Sequence, residues 1–454
     1  LKRITERIKK SYWLRSGVLT FLQRISITLF GFFSFVILVR LLDVADFGTW
    51  VLYVSFVSVI ELVREGFVKN PLIRQFVAAN KEDHSFITGS SFVLNLSLFV
   101  FLSVIVAIVA KPISLWMDAP SLELLCYLYI IHSFFYTFFL HYNALHEANL
   151  NYQATFWSFF SQKLLFLLYP LSALLFGDLI NVNLTNLALI QIAAVALSAG
   201  VSFWLAQRYA IEHFRYRWIY IKSIFNHGKY SFGTNMSSMI LNNIDSWMLG
   251  GMVSPVAVAI YNPALRITRL VEVPMSSVAS ITYPKLVHKD REYARENAKK
   301  LYEKSVAAIL ATMIPIVIGT IVFAKPIVWF IAGEGYEEAA PILQIVVLYG
   351  LIAPFNRQFG NTLDAIGQAR LTFHFVLASA VLNTVLNYYM IQKYGILGAA
   401  LATITTHFIG FFIRQYFLNQ LLGVSFIKTL DQTIAWYILG MGKATKLYFK
   451  IVSR

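Results

Sequence analysis

The chain has 454 residues, of which 58% are hydrophobic, 16% aromatic and only 13% charged, and its mean hydropathy is +0.63. A soluble domain carries about 25% charged residues, so a water-soluble globular fold is excluded and an all-α membrane protein with many spans is expected. The formal net charge is +15, yet a nucleic-acid partner would need the basic residues gathered on a soluble face. Here they edge apolar segments, where anionic membrane lipids are the nearest partner. The one cysteine, Cys126, excludes a disulfide framework or a thiolate metal cluster within the chain.

Residues 1–14 begin LKRITERIKK, a basic stretch without a small-residue cleavage site after a short apolar core. It reads as a retained cytoplasmic amphipathic segment. Beyond it, apolar runs predict twelve spans at 15–41, 48–68, 86–110, 122–146, 153–176, 185–208, 229–251, 256–283, 304–324, 340–365, 369–390 and 395–418. A span needs about 20 apolar residues, and 86–110 has no charge at all. With twelve spans, the basic clusters at the N-terminus, at Lys69 to Lys81, at Arg215 to Lys222, at Lys285 to Lys300 and in the tail share one face. The opposite loops carry Asp118, Asp178, Glu334, Glu337 and Glu338. That asymmetry predicts both termini in the cytoplasm. The basic tail, 419–454, has apolar residues at helical spacing between 427 and 438 and is expected to lie as an amphipathic helix on the cytoplasmic surface.

Two stretches look like equivalent external turns: DVADFG (43–48) after span one and GMVSPVAV (251–258) after span seven. Gly48 is expected there for unusual backbone angles, and Pro255 for resisting helix continuation. EANLNYQATFWSFFSQKLL (147–165) aligns with AIGQARLTFHFVLASAVLN (365–383), and WLAQRY (204–209) with FIRQYF (412–417). Six spans in each half give parallel repeats. The expected object is an N-terminal lobe (15–208), a cytoplasmic linker (209–228) and a C-terminal lobe (229–418), with a cleft between the lobes as the transport path.

Charges inside spans should face a cavity or a partner. Arg24 lies in span one, about 13 Å along the helix, and reads either as a cavity cation or as a locally paired, snorkelling one. Glu61, Arg64, Glu65 and Arg74 read as a cytoplasmic mouth or a structural ion cluster. Span seven holds Asn242, Asn243 and Asp245, and span eight holds Arg266, Arg269 and Glu272 at i, i+3 spacing. Asp245 suits an arginine or a coupling cation. Lys163 lies in span five, and Arg357 and Asp364 in span ten. His132, His141 and His146 recur in span four, with His374 and His407 later, and their spacing defines no metal site. Summed, Arg24, Lys163, Arg266, Arg269 and Arg357 oppose Glu61, Asp245 and Glu272. A cationic cleft suits an anionic substrate such as a lipid diphosphate, which arginine grips bidentately. There is no Walker A motif, HExxH or G-x-S-x-G, so no enzyme domain or built-in ATPase is expected. Energy is expected from an ion gradient, with Na+ or H+ as the coupling ion, from the membrane potential or from the substrate's own gradient, and no cofactor is expected.

The order of VRLLDVADFGTW, REGFVKNPLIRQF (64–76), NIDSWMLGG (243–251) and LDAIGQAR (363–370) resembles the lipid-linked oligosaccharide flippases, or polysaccharide exporters, of the multidrug/oligosaccharidyl-lipid/polysaccharide superfamily. The resemblance implies a MATE-like, V-shaped fold of two six-helix lobes in the bacterial inner membrane. It implies alternating access and movement of undecaprenyl-diphosphate-linked glycan to the external leaflet, as in O-antigen assembly. It carries cavity roles to Arg24, Arg266 and Arg269 and maps the acid of span seven to Asp245; from their place in the spans, Lys163 and Arg357 are further substrate-binding candidates, and Glu61, Arg64 and Glu272 join Asp245 as coupling or gating candidates. A monomeric transport unit and a downstream polysaccharide polymerase as partner are implied too. Family sequences often place proline after span one, where Val44-Ala45 stands here. Multidrug antiporters and lipid II flippases of the same superfamily are the alternatives; the former usually carry an acid in span one, and the latter commonly have fourteen spans.

Overall fold

The computed structural model describes residues 12–177, 181–207, 215–271, 275, 291–366 and 368–438, and it shows helices and turns without a strand among them. Inside lipid each unpaired backbone group costs several kcal/mol, so apolar runs of this length close their hydrogen bonds within themselves as helices. The first half runs α1 (Tyr12–Leu41), α2 (Val44–Arg64), α3 (Asn70–Ala78), α4 (His84–Trp116), α5 (Pro120–Ala148), α6 (Tyr152–Phe176) and α7 (Leu184–Ala206). The second runs α8 (Trp218–Met252), α9 (Pro255–Val271), α10 (Arg291–Val322), α11 (Ala324–Ala332), α12 (Ala339–Val346), α13 (Tyr349–Ala365), α14 (Ala369–Tyr394) and α15 (Ile396–Leu422), with a last helix, α16, over 426–438.

Among the described residues nine helical stretches are long and apolar enough to cross a membrane: Leu19–Leu41, Lys81–Trp116, Pro120–Ala148, Tyr152–Phe176, Leu184–Ala206, Ala298–Val322, Ala339–Asp364, Arg370–Tyr394 and Ile396–Leu422. The expected second and seventh spans, and the described part of the eighth, are helical but are not among the nine. α9 is described over Pro255–Val271, and most of 272–283 lies outside the described residues. α2 ends in Glu61 and Arg64, and α8 carries Asn242, Asn243 and Asp245. Residues 209–214 of the expected linker, the N-terminal segment to residue 11, Glu272, Lys285, Lys289 and the tail past 438 lie outside the described residues; the rest of the expected linker, from Trp218, is already the first part of α8.

Contacts divide the chain into two compact units, 1–239 with 254–259 and 240–253 with 260–454. In the first, α5 is the axis: half of its span is buried, against 17% for α4 and 22% for α6. It packs on α2, α3, α4, α6 and α7. Tyr136, Phe139 and Leu140 of α5 meet Leu94 of α4 and Val195 and Ala199 of α7. On α7 the buried Ala194, Ser198, Ser202 and Ala206 recur every fourth residue, a small-residue stripe that admits a neighbour closely. Asn143 of α5 donates to Ser202 Oγ at 3.3 Å, and His146 Nε2 lies 3.0 Å from Ser202 O.

In the second unit, Tyr302, Phe355, Phe359, Phe411 and Leu418 form a core between α10, α13 and α15. α15 has its own stripe, Gly398, Ala402, Thr406 and Gly410, all buried. A Cβ at Gly398 would lie 2.0 Å from Met390 O of α14, so the two backbones touch where only glycine fits. The tail helix α16, expected on the membrane surface, runs along α10. Ser425 N donates to Glu303 Oε1, and Tyr437 Oη donates to Ala311 O. Eight residues of α10 separate those anchors, about 12 Å of rise, and Ala311 lies within the apolar Ala298–Val322 stretch.

Both expected turns are shorter than their motifs. α1 ends at Leu41 and α2 starts at Val44, so Gly48 is helical and needs no unusual angles. Its lack of a side chain matters for space: a Cβ there would lie 1.8 Å from Pro255 O. Pro255 opens α9 instead of ending a helix, since the first position of a helix tolerates a missing N–H. Ser254 Oγ caps that start by accepting from Ala257 N at 3.2 Å. The stretch after α2, expected as a loop, stays helical through a π turn, Glu65–Lys69, into α3.

Gly48→Ala should therefore lower the thermal midpoint of the purified protein by several degrees, because overpacking costs about 1–3 kcal/mol. Gly200→Ala, with nothing within 4 Å, should leave it unchanged or raise it slightly. Equal midpoints for the two variants, measured by thermal unfolding in detergent, would contradict the contact.

Candidate functional site

Two buried polar clusters stand out, one in each unit. In the first unit Arg64, at the end of α2, is fully buried. Nε and Nη2 donate to Asn95 Oδ1 at 3.1 and 2.8 Å. Nη1 donates to Ser133 O and Oγ at 3.0 and 2.9 Å, and Nη2 also to Thr137 Oγ1 at 2.7 Å. Asn95 is itself held by donating to Thr137 O at 2.9 Å. All three guanidinium nitrogens are thus engaged, and the side chain joins α2 to α4 and α5 as a structural clasp, not as an open mouth.

One turn earlier, Glu61 lies 3.9 Å from His132 Nδ1 of α5. Lys163 of α6 acts electrostatically on both groups. Its position follows from its helix: Phe160 meets Phe30 of α1 and Phe166 stacks on Trp50 of α2, so the residue between them, at i+3 from each, faces the same way. Glu61, His132 and Lys163, expected on three separate spans, therefore converge. Lys69, five residues after Arg64, pairs with Glu147 of α5 at 2.8 Å.

In the second unit Asp245 of α8 is 5% exposed. It accepts hydrogen bonds from Tyr261 Oη of α9 at 2.9 Å, Asn387 Nδ2 of α14 at 2.7 Å and Thr403 Oγ1 of α15 at 2.6 Å. Asn387 Nδ2 also donates to Asn383 Oδ1 at 3.1 Å, and Asn383 Nδ2 donates to Thr403 and Thr406. Asn387 Oδ1 is buried without a hydrogen-bond partner. No arginine pairs with Asp245 among the described residues, contrary to one expectation for it. The site is instead a carboxylate and an orphan amide oxygen among neutral polar groups from four helices. Hard monovalent or divalent cations take such all-oxygen sets. Among the described residues no three His, Cys, Asp or Glu converge as a metal site.

The other expected binding residues are scattered. Arg24 of α1, Arg269 of α9 and Arg357 of α13 are exposed, and Arg266 is half-buried. Arg266 and Arg269 repel one another electrostatically, as neighbours of like charge. Glu272 lies outside the described residues. Sequence reading missed Tyr261, Asn383, Asn387, Thr403 and a buried cation on α15, Arg414. The available signal was polar residues at i, i+3 or i, i+4 in charge-free runs: Asn383 with Asn387, and Thr403 with Thr406.

These features define a polytopic helical membrane protein with buried polar groups held between its helices, the class to which membrane transporters belong. The fold is similar to that of the lipid II flippase MurJ in an inward closed conformation, at TM-score 0.76 and 15% identity over 94% of this chain and 91% of that one. It is also similar to an inward-facing multidrug resistance MATE family transporter of the MOP superfamily, at TM-score 0.69 and 15% identity over 88% of this chain and 96% of that one. In sequence, residues 37–341 match the polysaccharide biosynthesis protein family, and the chain belongs to that family. It is 24% identical to a probable low-salt glycan biosynthesis flippase of Haloferax volcanii, over 45% of this chain and 43% of that protein. It is 26% identical to a putative O-antigen transporter of Shigella flexneri, over 42% and 44%. An uncharacterized membrane protein in the cps region of Klebsiella pneumoniae is 23% identical over 87% of this chain and 80% of its own length. The matches thus span less than half of the first two relatives.

Arg64→Lys keeps the charge but not the planar fork that reaches Asn95, Ser133 and Thr137 together. Breaking a buried charged network costs about 3–5 kcal/mol, so this variant should lose most of its folded yield in detergent size-exclusion profiles. Arg24→Lys, at an exposed position, should keep the wild-type profile.

Proposed function

We propose that the protein moves an undecaprenyl-diphosphate-linked oligosaccharide from the cytoplasmic to the external leaflet of the bacterial inner membrane, for surface polysaccharide assembly. The family match carries this reading, and the likeness to a probable glycan biosynthesis flippase of Haloferax volcanii and a putative O-antigen transporter of Shigella flexneri supports it. On this reading the chain makes twelve spans, in lobes 15–208 and 229–418 joined by linker 209–228, with both termini and the tail 419–454 cytoplasmic. It works by alternating access as a monomeric unit and delivers its product to a polysaccharide polymerase. Arg24, Lys163, Arg266, Arg269 and Arg357 receive the diphosphate, whose charge offsets theirs. Likeness of fold to a multidrug transporter supports ion-coupled export of a small solute as the second reading. α1 carries no acidic residue, which sets it apart from the pattern expected of those antiporters.

Asp245 is the coupling residue in this proposal. The observation that supports it is the orphan Asn387 Oδ1 beside a buried carboxylate. Asp245, Asn387, Asn383 and Thr403 would hold Na+, or Asp245 would hold a proton. The bound ion neutralises a charge that is costly inside a membrane. The hydrogen bonds from α9, α14 and α15 then relay the occupancy of one carboxylate to three helices.

Deleting the gene in its host should make a diphosphate-linked oligosaccharide accumulate on the cytoplasmic side, with loss of the surface polymer. Mass spectrometry of lipid-linked sugars would read this, and sensitivity to toxic organic cations with normal glycans would favour the second reading. Arg24→Ala, Arg266→Ala and Arg269→Ala should each abolish export at matched protein level, and normal surface glycan in all three would remove the cationic-site idea. Asp245→Asn should fold and lose its dependence on Na+ or on pH in a reconstituted transport assay. Persistence of that dependence would place coupling elsewhere.

A further inference from the structure

The second unit holds a second buried charge, and it is not part of the Asp245 cluster. Arg414 of α15 is 9% exposed. Nη1 donates to Asn356 Oδ1 of α13 at 2.8 Å, and Nη2 to Ser379 Oγ of α14 at 2.6 Å. Its guanidinium stands 5.9 Å from the centre of the Phe359 ring. Gly410, one turn back, makes room for it: a Cβ there would lie 3.0 Å from Arg414 Nη1.

The contrast with Arg64 is informative. A guanidinium has five N–H groups, and Arg64 engages all three of its nitrogens. Arg414 places one hydrogen bond on each terminal nitrogen and none on Nε among the described residues. Glu61 and Arg64 act on one another electrostatically. The groups that act on Arg414 are the phenols of Tyr302 and Tyr349, and it acts in turn on the imidazole of His407. No carboxylate lies within 4 Å of Arg414 among the described residues. A buried cation without a counter-charge is strongly unfavourable. Beside it is a second unspent donor: Asn356 Nδ2 is buried with no hydrogen-bond partner. That nitrogen belongs to the amide whose oxygen already accepts from Arg414. Donors in surplus, a positive charge and no acid together call for an anion.

We propose that Arg414 and Asn356 bind a small monovalent anion of the size and charge of chloride. The anion supplies the missing counter-charge, takes up the free N–H groups of Arg414 and the orphan Asn356 Nδ2, and holds α13, α14 and α15 together. The site is independent of the glycan reading, since any substrate could be carried with it in place.

The test is thermal unfolding of the full-length protein in detergent, in potassium chloride and in potassium gluconate at equal ionic strength. Wild type should gain several degrees in chloride, in a saturable manner, because a ligand bound only by the folded state stabilises it. Gluconate, a large organic anion, is the reference salt. Arg414→Gln should lose that dependence. Should it fail to fold, Asn356→Asp decides: a fixed carboxylate takes the place of the anion, so this variant should be as stable in gluconate as wild type is in chloride. Equal wild-type midpoints in the two salts would overturn the proposal, as would chloride dependence retained in Asn356→Asp. A midpoint that follows inorganic phosphate, or phosphatidylglycerol content in nanodiscs, and not chloride would also overturn it, by assigning the site to a phosphate group.

Discussion

A charge inside a bilayer has no water to answer it, so the protein must supply the answer from its own side chains. Three of the buried charges, Arg64, Asp245 and Arg414, can be ordered by how completely this is done. Arg64 is met on every guanidinium nitrogen by Asn95, Ser133 and Thr137. Asp245 is met by three donors but leaves an amide oxygen idle next to it. Arg414 has two neutral acceptors and an idle donor nearby. The first pattern is complete without a ligand and reads as architecture. The other two are incomplete in opposite senses, one short of a cation and one short of an anion.

Close backbone packing makes these arrangements available. Polar side chains such as Asn and Thr are short, so they meet across helices only when the helices nearly touch. The stripe Gly398, Ala402, Thr406 and Gly410 brings α15 onto α14, and Asn383, Asn387 and Thr403 then fall within hydrogen-bond reach. The same stripe ends, four residues on, at Arg414. One run of small residues therefore serves both the acidic cluster and the basic one.

The long charge-free runs were legible in the sequence because length and apolarity alone determine them. The run 86–110 lies within α4, and 305–324 lies within α10 but for its last two residues. The acid of the second unit was legible as well, since a carboxylate in an apolar segment is conspicuous. Its partners were not: an uncharged Asn or Thr is ordinary in a membrane helix, and which of them meet depends on packing between helices distant in sequence. Pro255 and Gly48 misled for a related reason. Both residues have a local meaning, as breaker and as flexible link, but here position in the helix and the space around it decide their roles. Arg64 read either as part of a charged mouth or as a member of a structural ion cluster, because the sequence shows its acidic neighbours and not the three polar side chains that enclose it.

The π turn at Glu65–Lys69 has a consequence for the count of residues along this rod. In an α-helix, residues five apart point to different sides, whereas an i→i+5 turn returns the fifth residue to the face of the first. Arg64 bonds to Ser133 and Thr137 of α5, and Lys69 pairs with Glu147 of the same helix. Only the extra residue of the wider turn lets two cations at this spacing share one partner. Deleting one residue between them would let the turn close as an ordinary α turn, with the two cations at i, i+4 and still on one face, whereas inserting one would keep a continuous helix and turn every later side chain about 100° away from α5. The chain at this point is defined by its length as much as by its letters, and an alteration that no hydropathy profile would register would separate α3 from the axis of the first unit.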